Sequence, residues 1–218
     1  MARSNLQLIT GLSPVTNLTG DVHHAGIQIG HIPASNAVDL YVGDLVRMTG
    51  AGAGAMPVFS GSQPGGGVDD PDFQTVIAGS YPDIAIHLAG DTSDVWGVIV
   101  GFEYDGDLGK QGIKYSPAGV ERLARVATDP SMVYHIPANA ALAASSAGSN
   151  ADVTARSPVR MYGGPNFYLD AATVAPATTT LPLRLLGPAL EQGNDPAIPY
   201  ALWRVKINTP IDFNRAGV

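Results

Sequence analysis

Tyr200-Ala201-Leu202-Trp203-Arg204-Val205-Lys206-Ile207-Asn208 is the stretch whose reading decides the fold class. Ala201, Trp203, Val205 and Ile207 alternate with Leu202, Arg204, Lys206 and Asn208. Successive side chains on an extended strand point to opposite faces, so one face here is apolar and the other mostly polar. That is the signature of a half-buried strand. Residues 181–186 and 166–169 read as further strands, and so do residues 132–136, between an Asp129-Pro130 turn and Pro137. Residues 95–104 are rich in β-branched and aromatic side chains and lead into the turn dipeptide Asp105-Gly106. In residues 38–48, Gly43-Asp44 separates Val38, Leu40 and Val42 from Leu45, Val46 and Met48. Two short strands, or one strand bent at Gly43, fit that pattern.

One segment reads two ways. Ser116-Pro117 is a good helix start, and Val120, Leu123, Ala124 and Ala127 follow at helical spacing. A strand over residues 121–128 is the alternative. Residues 138–147 are Ala-rich and suit a short helical turn. The expectation is an all-β, mainly antiparallel single domain with long Gly- and Pro-rich loops. The 26 glycines and 17 prolines are about one residue in five, against roughly one in eight in average usage.

The composition excludes several kinds of chemistry. With no cysteine there is no disulfide framework, no thiolate metal site and no cysteine nucleophile. There is no run of about 18 apolar residues to cross a membrane as a helix. Met1-Ala2-Arg3-Ser4-Asn5 leads into no apolar run, so no signal peptide is expected. A net charge of −7 argues against a protein that coats nucleic acid, whose affinity comes from Lys and Arg on phosphates.

Four local patterns touch on chemistry, and each has a simpler reading. Residues 50–55 satisfy G-x-G-x-x-A, yet Pro57 follows where a phosphate-binding helix would have to open. His23, His24 and His31 lie near Asp21, but at no spacing that sets two ligands on one face. Asp69, Asp70 and Asp72 read as an acidic loop; the EF-hand pattern is absent. Ser145-Ser146 has no G-x-S-x-G elbow around it. His87 and His135 read as strand residues. The expectation is therefore no catalytic residue, no cofactor and no metal. A hydrolase with a dispersed triad remains a rival, to be recognised by His87 or His135 meeting a Ser and an Asp in space.

What remains is a structural or binding protein. Leu6, Leu8 and Ile9 in an N-terminal arm and Ile211 and Phe213 in a C-terminal arm are the candidate contact residues, because apolar arms dock on neighbouring chains. The arms are residues 1–14 and 209–218, and residues 15–208 form the β domain. The glycine-rich loop of residues 50–67 is a secondary candidate.

The chain also resembles a family, the structural proteins of tailed bacteriophages encoded close to the major capsid protein, some of which are head decoration or cement proteins. The resemblance is carried by Gly11-Leu12-Ser13-Pro14-Val15, Gly43-Asp44-Leu45-Val46, Gly97-Val98-Ile99-Val100-Gly101 and the run from Ala127 through Tyr134. It is densest in Tyr168-Leu169-Asp170, Leu181 through Gly187, Trp203 through Asn208 and the ending Ala216-Gly217-Val218. Residues 51–94 have no counterpart that can be placed and read as an insertion. The resemblance implies an antiparallel β-sandwich or jelly-roll-like barrel. It implies a homo-oligomer on the outer face of the major capsid protein shell, and the threefold sites of an icosahedral lattice put a trimer ahead of a dimer. The virion is then its location, after assembly in the host cytoplasm, with no direct nucleic-acid or membrane partner. It also favours the strand reading of residues 121–128. Alternatives are a carbohydrate-binding jelly-roll module using residues 69–73, and a neck or tail component.

Overall fold

The computed structural model describes residues 11–18, 26–49, 81–103, 115–155, 167–176 and 180–208. Their strands are β1 (Ser13–Asn17), β2 (Ile27–Ile32), β3 (Leu40–Tyr41), β4 (Leu45–Met48), β5 (Ile84–Ile86), β6 (Gly97–Phe102), β7 (Tyr115–Ser116), β8 (Arg122–Ala127), β9 (Met132–Pro137), β10 (Asn150–Ala151), β11 (Leu183–Pro188) and β12 (Leu202–Ile207). They form three antiparallel sheets. The first has the order β1-β9-β12-β11-β10, the second β2-β8-β6-β4-β5, and β3 pairs with β7.

The alternation read in residues 200–208 is the pattern of β12. Trp203, Val205 and Ile207 are buried in one core with Met132, Tyr134 and Ile136 of β9 and Leu183 and Leu185 of β11. Leu45, Val95 and Val98 join the same cluster, so the inner face of the first sheet shares its core with one side of the second. The other side of the second sheet holds a smaller cluster of Ile32, Val46, Ile84, Ile99, Ala124 and Val126, with Trp96 and Leu40.

The segment that read two ways is a strand. β8 lies between β2 and β6 and pairs with both. Leu123, Ala124, Val126 and Ala127 are buried from both sides, and an apolar run buried that way loses the period-2 alternation that marks a strand. Gly43 separates β3 from β4 with a φ of 98°, a conformation that side-chain-bearing residues rarely adopt. The Ala-rich stretch closes in a 3-10 turn at Ala144–Ser146. Gly97 lets β6 run close to β8, since a Cβ there would run into the carbonyl oxygen of Ala127.

The expected β-sandwich or jelly-roll-like barrel is corrected to three separate sheets, none of which closes. A jelly roll folds two Greek keys over each other, so consecutive strands alternate between its sheets. Here β9, β10, β11 and β12 all enter the first sheet, while β4, β5 and β6 all enter the second. The first sheet ends on β10, a strand of two residues, which blunts its edge. The second sheet curls until its outer strands β2 and β5 approach, but they meet only through one parallel bridge between His31 and Asp83. At that bridge the His31 N–H donates to the Pro82 carbonyl at 2.9 Å. One bridge is not a ladder, and the sheet stops short of closure.

Candidate functional site

The face of the first sheet turned away from the core carries the polar half of the β12 alternation. Arg204 and Lys206 share it with Arg184 of β11 and His135 of β9, because their chain neighbours Trp203, Val205, Leu183, Leu185, Tyr134 and Ile136 all point into the core. The register sets Arg184 directly opposite Lys206 and Arg204 directly opposite His135. Like charges at opposed positions repel, so a sheet selected for stability alone avoids them.

Other basic side chains of the described residues are engaged elsewhere. Arg47 pairs with Asp91 at 3.0 Å, and Arg125 with Glu103 at 2.6 Å. The Arg122 Nη1 donates to the Tyr115 carbonyl at 2.6 Å, and its guanidinium lies over the Phe102 ring at 4.7 Å. Arg184, Arg204 and Lys206 have no carboxylate partner among the described residues. The Arg204 Nε is a buried donor without an acceptor among them.

The connection from β11 to β12 frames this face. It is locked from within by Asn194, whose Nδ2 donates to the carbonyls of Ala189 and Leu202, both at 2.9 Å. Its Oδ1 accepts from the Leu202 N–H at 2.8 Å. The Pro196 carbonyl accepts from the Leu142 N–H at 3.1 Å, which ties the connection to the neighbouring loop. Leu190 projects from this braced segment and is 88% exposed. Tyr200 ends it with a φ of 65°, strained for a residue with a side chain, and its N–H donates to the Ala138 carbonyl at 2.8 Å. Its ring meets Tyr168 edge-on at 5.5 Å between centroids.

Glu191 follows Leu190 and reaches back over the face to His135, with its Oε1 3.0 Å from Nδ1. His135 is nevertheless held below the ordinary histidine range. Burial is the main cause; Arg204 adds to it, and Glu191 opposes both. A half-exposed carboxylate is well solvated, so its pull on the ring is the weaker influence. The face therefore carries three cations, the His135 imidazole and the Glu191 carboxylate.

Two buried histidines lie elsewhere. His31, 2% exposed, places Nδ1 2.6 Å from Asp83 Oδ1 and Nε2 2.7 Å from Glu121 Oε1. It clamps the bridge where β2 meets the start of β5. His87 has no hydrogen-bond partner on either ring nitrogen among the described residues. Burial lowers its pKa, with Asp91 and Asp152 partly opposing and Arg47 adding to the shift. Among the described residues no group of three or more His, Asp or Glu is arranged to hold a metal ion.

The sequence-derived contact residues Leu6, Leu8, Ile9, Ile211 and Phe213 lie outside the described residues, as do His23, His24, the loop of residues 50–67 and Asp69 to Asp72. His31 is described, and its neighbours are two carboxylates. Among the described residues neither ring nitrogen of His87 has a hydrogen-bond partner, although Asp91, which accepts from the Ser93 hydroxyl at 2.7 Å, acts on its charge; His135 faces Glu191. Sequence reading missed Leu190 and Tyr200 because they sit in a Gly- and Pro-rich connection. Alternation placed Arg204 and Lys206 on a polar face, but nothing local joined them to Arg184. Comparison of the chain with family models, with curated proteins and with solved structures finds no match.

Proposed function

We propose that this chain is a decoration protein of a tailed-bacteriophage head. It binds the outer surface of the major capsid protein shell and stabilises the particle, as a homo-oligomer and without catalysis or a cofactor. The reading rests on the resemblance in the sequence. The observation that carries it in the structure is Leu190, 88% exposed on a segment that Asn194 locks. A static attachment protein needs apolar anchors that lose little freedom on binding, since ordering a side chain or loop at an interface costs about 0.5–1.5 kcal/mol for each rotamer-rich group. The backbone on either side of Leu190 is held in advance in this way. A packed genome pushes outward on its shell. A decoration protein resists that push through many modest contacts engaged together, which reinforce one another through effective concentration.

The reading is tested by the ratio of this chain to the major shell protein in purified particles, measured by quantitative mass spectrometry. The expected result is a simple lattice fraction, at or near one to one. A few copies per particle would move the chain to the neck or tail. Absence from particles would reject the virion reading altogether.

A further inference from the structure

We infer that the outward face of the first sheet is a docking surface for an extended, carboxylate-rich protein segment, engaged by Arg184, Arg204 and Lys206. That the segment belongs to the shell protein rests on the reading above; the chemistry of the face does not. The argument starts from charge. The chain carries a net charge of −7, yet these three cations gather on one sheet face with no carboxylate partner among the described residues. Arg184 and Lys206 stand directly opposite each other, which weakens the sheet unless something negative lies over them.

Spacing narrows the occupant. Arg204 and Lys206 are two residues apart on one strand, about 6.5–7 Å along it. Arg184 sits across from Lys206 at about 5 Å between Cβ atoms. An extended peptide repeats its own side chains on one face every 6.5–7 Å, so Asp or Glu at alternate positions meets Arg204 and Lys206 in step. Arginine adds two-pronged hydrogen bonding to carboxylates. Nucleic acid fits less well. It draws its affinity from many phosphate contacts, whereas this face offers three cations.

The test uses the full chain and three labelled probes in fluorescence anisotropy at low salt. They are a ten-residue peptide alternating Glu and Ser, the same peptide with Gln for Glu, and a ten-nucleotide single-stranded DNA. The Glu peptide is expected to bind, and the Gln peptide and the DNA to bind at least roughly tenfold more weakly. The double variant R184Q/K206Q is expected to lose roughly tenfold for the Glu peptide, and R204Q to weaken it by itself. R125Q removes one positive charge away from this face and is expected to leave binding unchanged. Equal binding of the Gln peptide, tighter binding of the DNA, or indifference to R184Q/K206Q in a folded protein would each overturn the inference. Peptide binding without shell binding would keep the face and remove the shell as partner. Shell binding without peptide binding would do the reverse.

Discussion

Replacing His31 with alanine is expected to destabilise the fold by about 1–3 kcal/mol, the usual cost of leaving a buried hydrogen-bonding group without its partner. The cost arises because Asp83 and Glu121 stay behind, at 9% and 31% side-chain exposure, after the group between them is gone. Both carboxylates lie within 2.7 Å of a ring nitrogen, so the one ring links them. The double variant H31A/D83N removes the more deeply buried charge as well and is expected to recover part of the loss. Equilibrium urea unfolding of the variants measures this. The amide of His31, bonded to the Pro82 carbonyl, is expected to exchange its hydrogen faster in H31A than in the parent. A loss below about 1 kcal/mol would show that the bridge between β2 and β5 holds without its clamp, as a surface pair would.

Trp203→Ala is the second large effect. Trp203 is fully buried on β12, between β9 and β11, at the centre of the main core. Truncating a large buried aromatic costs about 3–5 kcal/mol, from lost transfer energy and from the cavity left behind. The indole carries a further feature: its Nε1–H is buried without an acceptor among the described residues. An unmatched buried donor costs about 1–3 kcal/mol on its own. Trp203→Phe removes that donor while keeping most of the ring volume, so it is expected to cost far less than the alanine variant. Equal losses for the two variants would mean that the indole N–H contributes a favourable contact and that the core is not packed as described.

These effects mark where the fold was legible in sequence. β12 was readable because it lies half in a core and half outside it, and period-2 alternation reports that situation directly. β8 was not, because it is buried on both faces and its apolar residues fit helical spacing as well. The break at Gly43 was visible, since glycine is the residue that takes a φ of 98° at little cost. Sheet order was not visible. The jelly-roll expectation came from the resemblance, and it fails on how strands are distributed between sheets, which no local pattern encodes.

The candidate site divides in the same way. Arg204 and Lys206 fall on the polar face by alternation alone. Their alignment with Arg184 depends on the register between β11 and β12, and that register is interrupted between Leu185 and Gly187. His31 reaches Asp83 and Glu121 across 52 and 90 residues of chain, a separation at which spacing rules say nothing. Leu190 lies among residues whose composition reads as a loop. The hydrogen bonds of Asn194, Pro196 and Tyr200 reveal that the loop is braced.

The most direct test of the proposal is binding of the purified chain to undecorated shells of the tailed phage proposed to encode it, read by co-sedimentation against concentration. The account predicts saturation at a fixed ratio to the shell protein. It also predicts that Leu190→Asp, which leaves the core untouched, weakens binding by roughly tenfold or more, as loss of an interface anchor does. Failure of the parent protein to sediment with shells at any concentration would contradict the account. So would a Leu190→Asp variant that binds as tightly as the parent, for the attachment would then lie on some other surface.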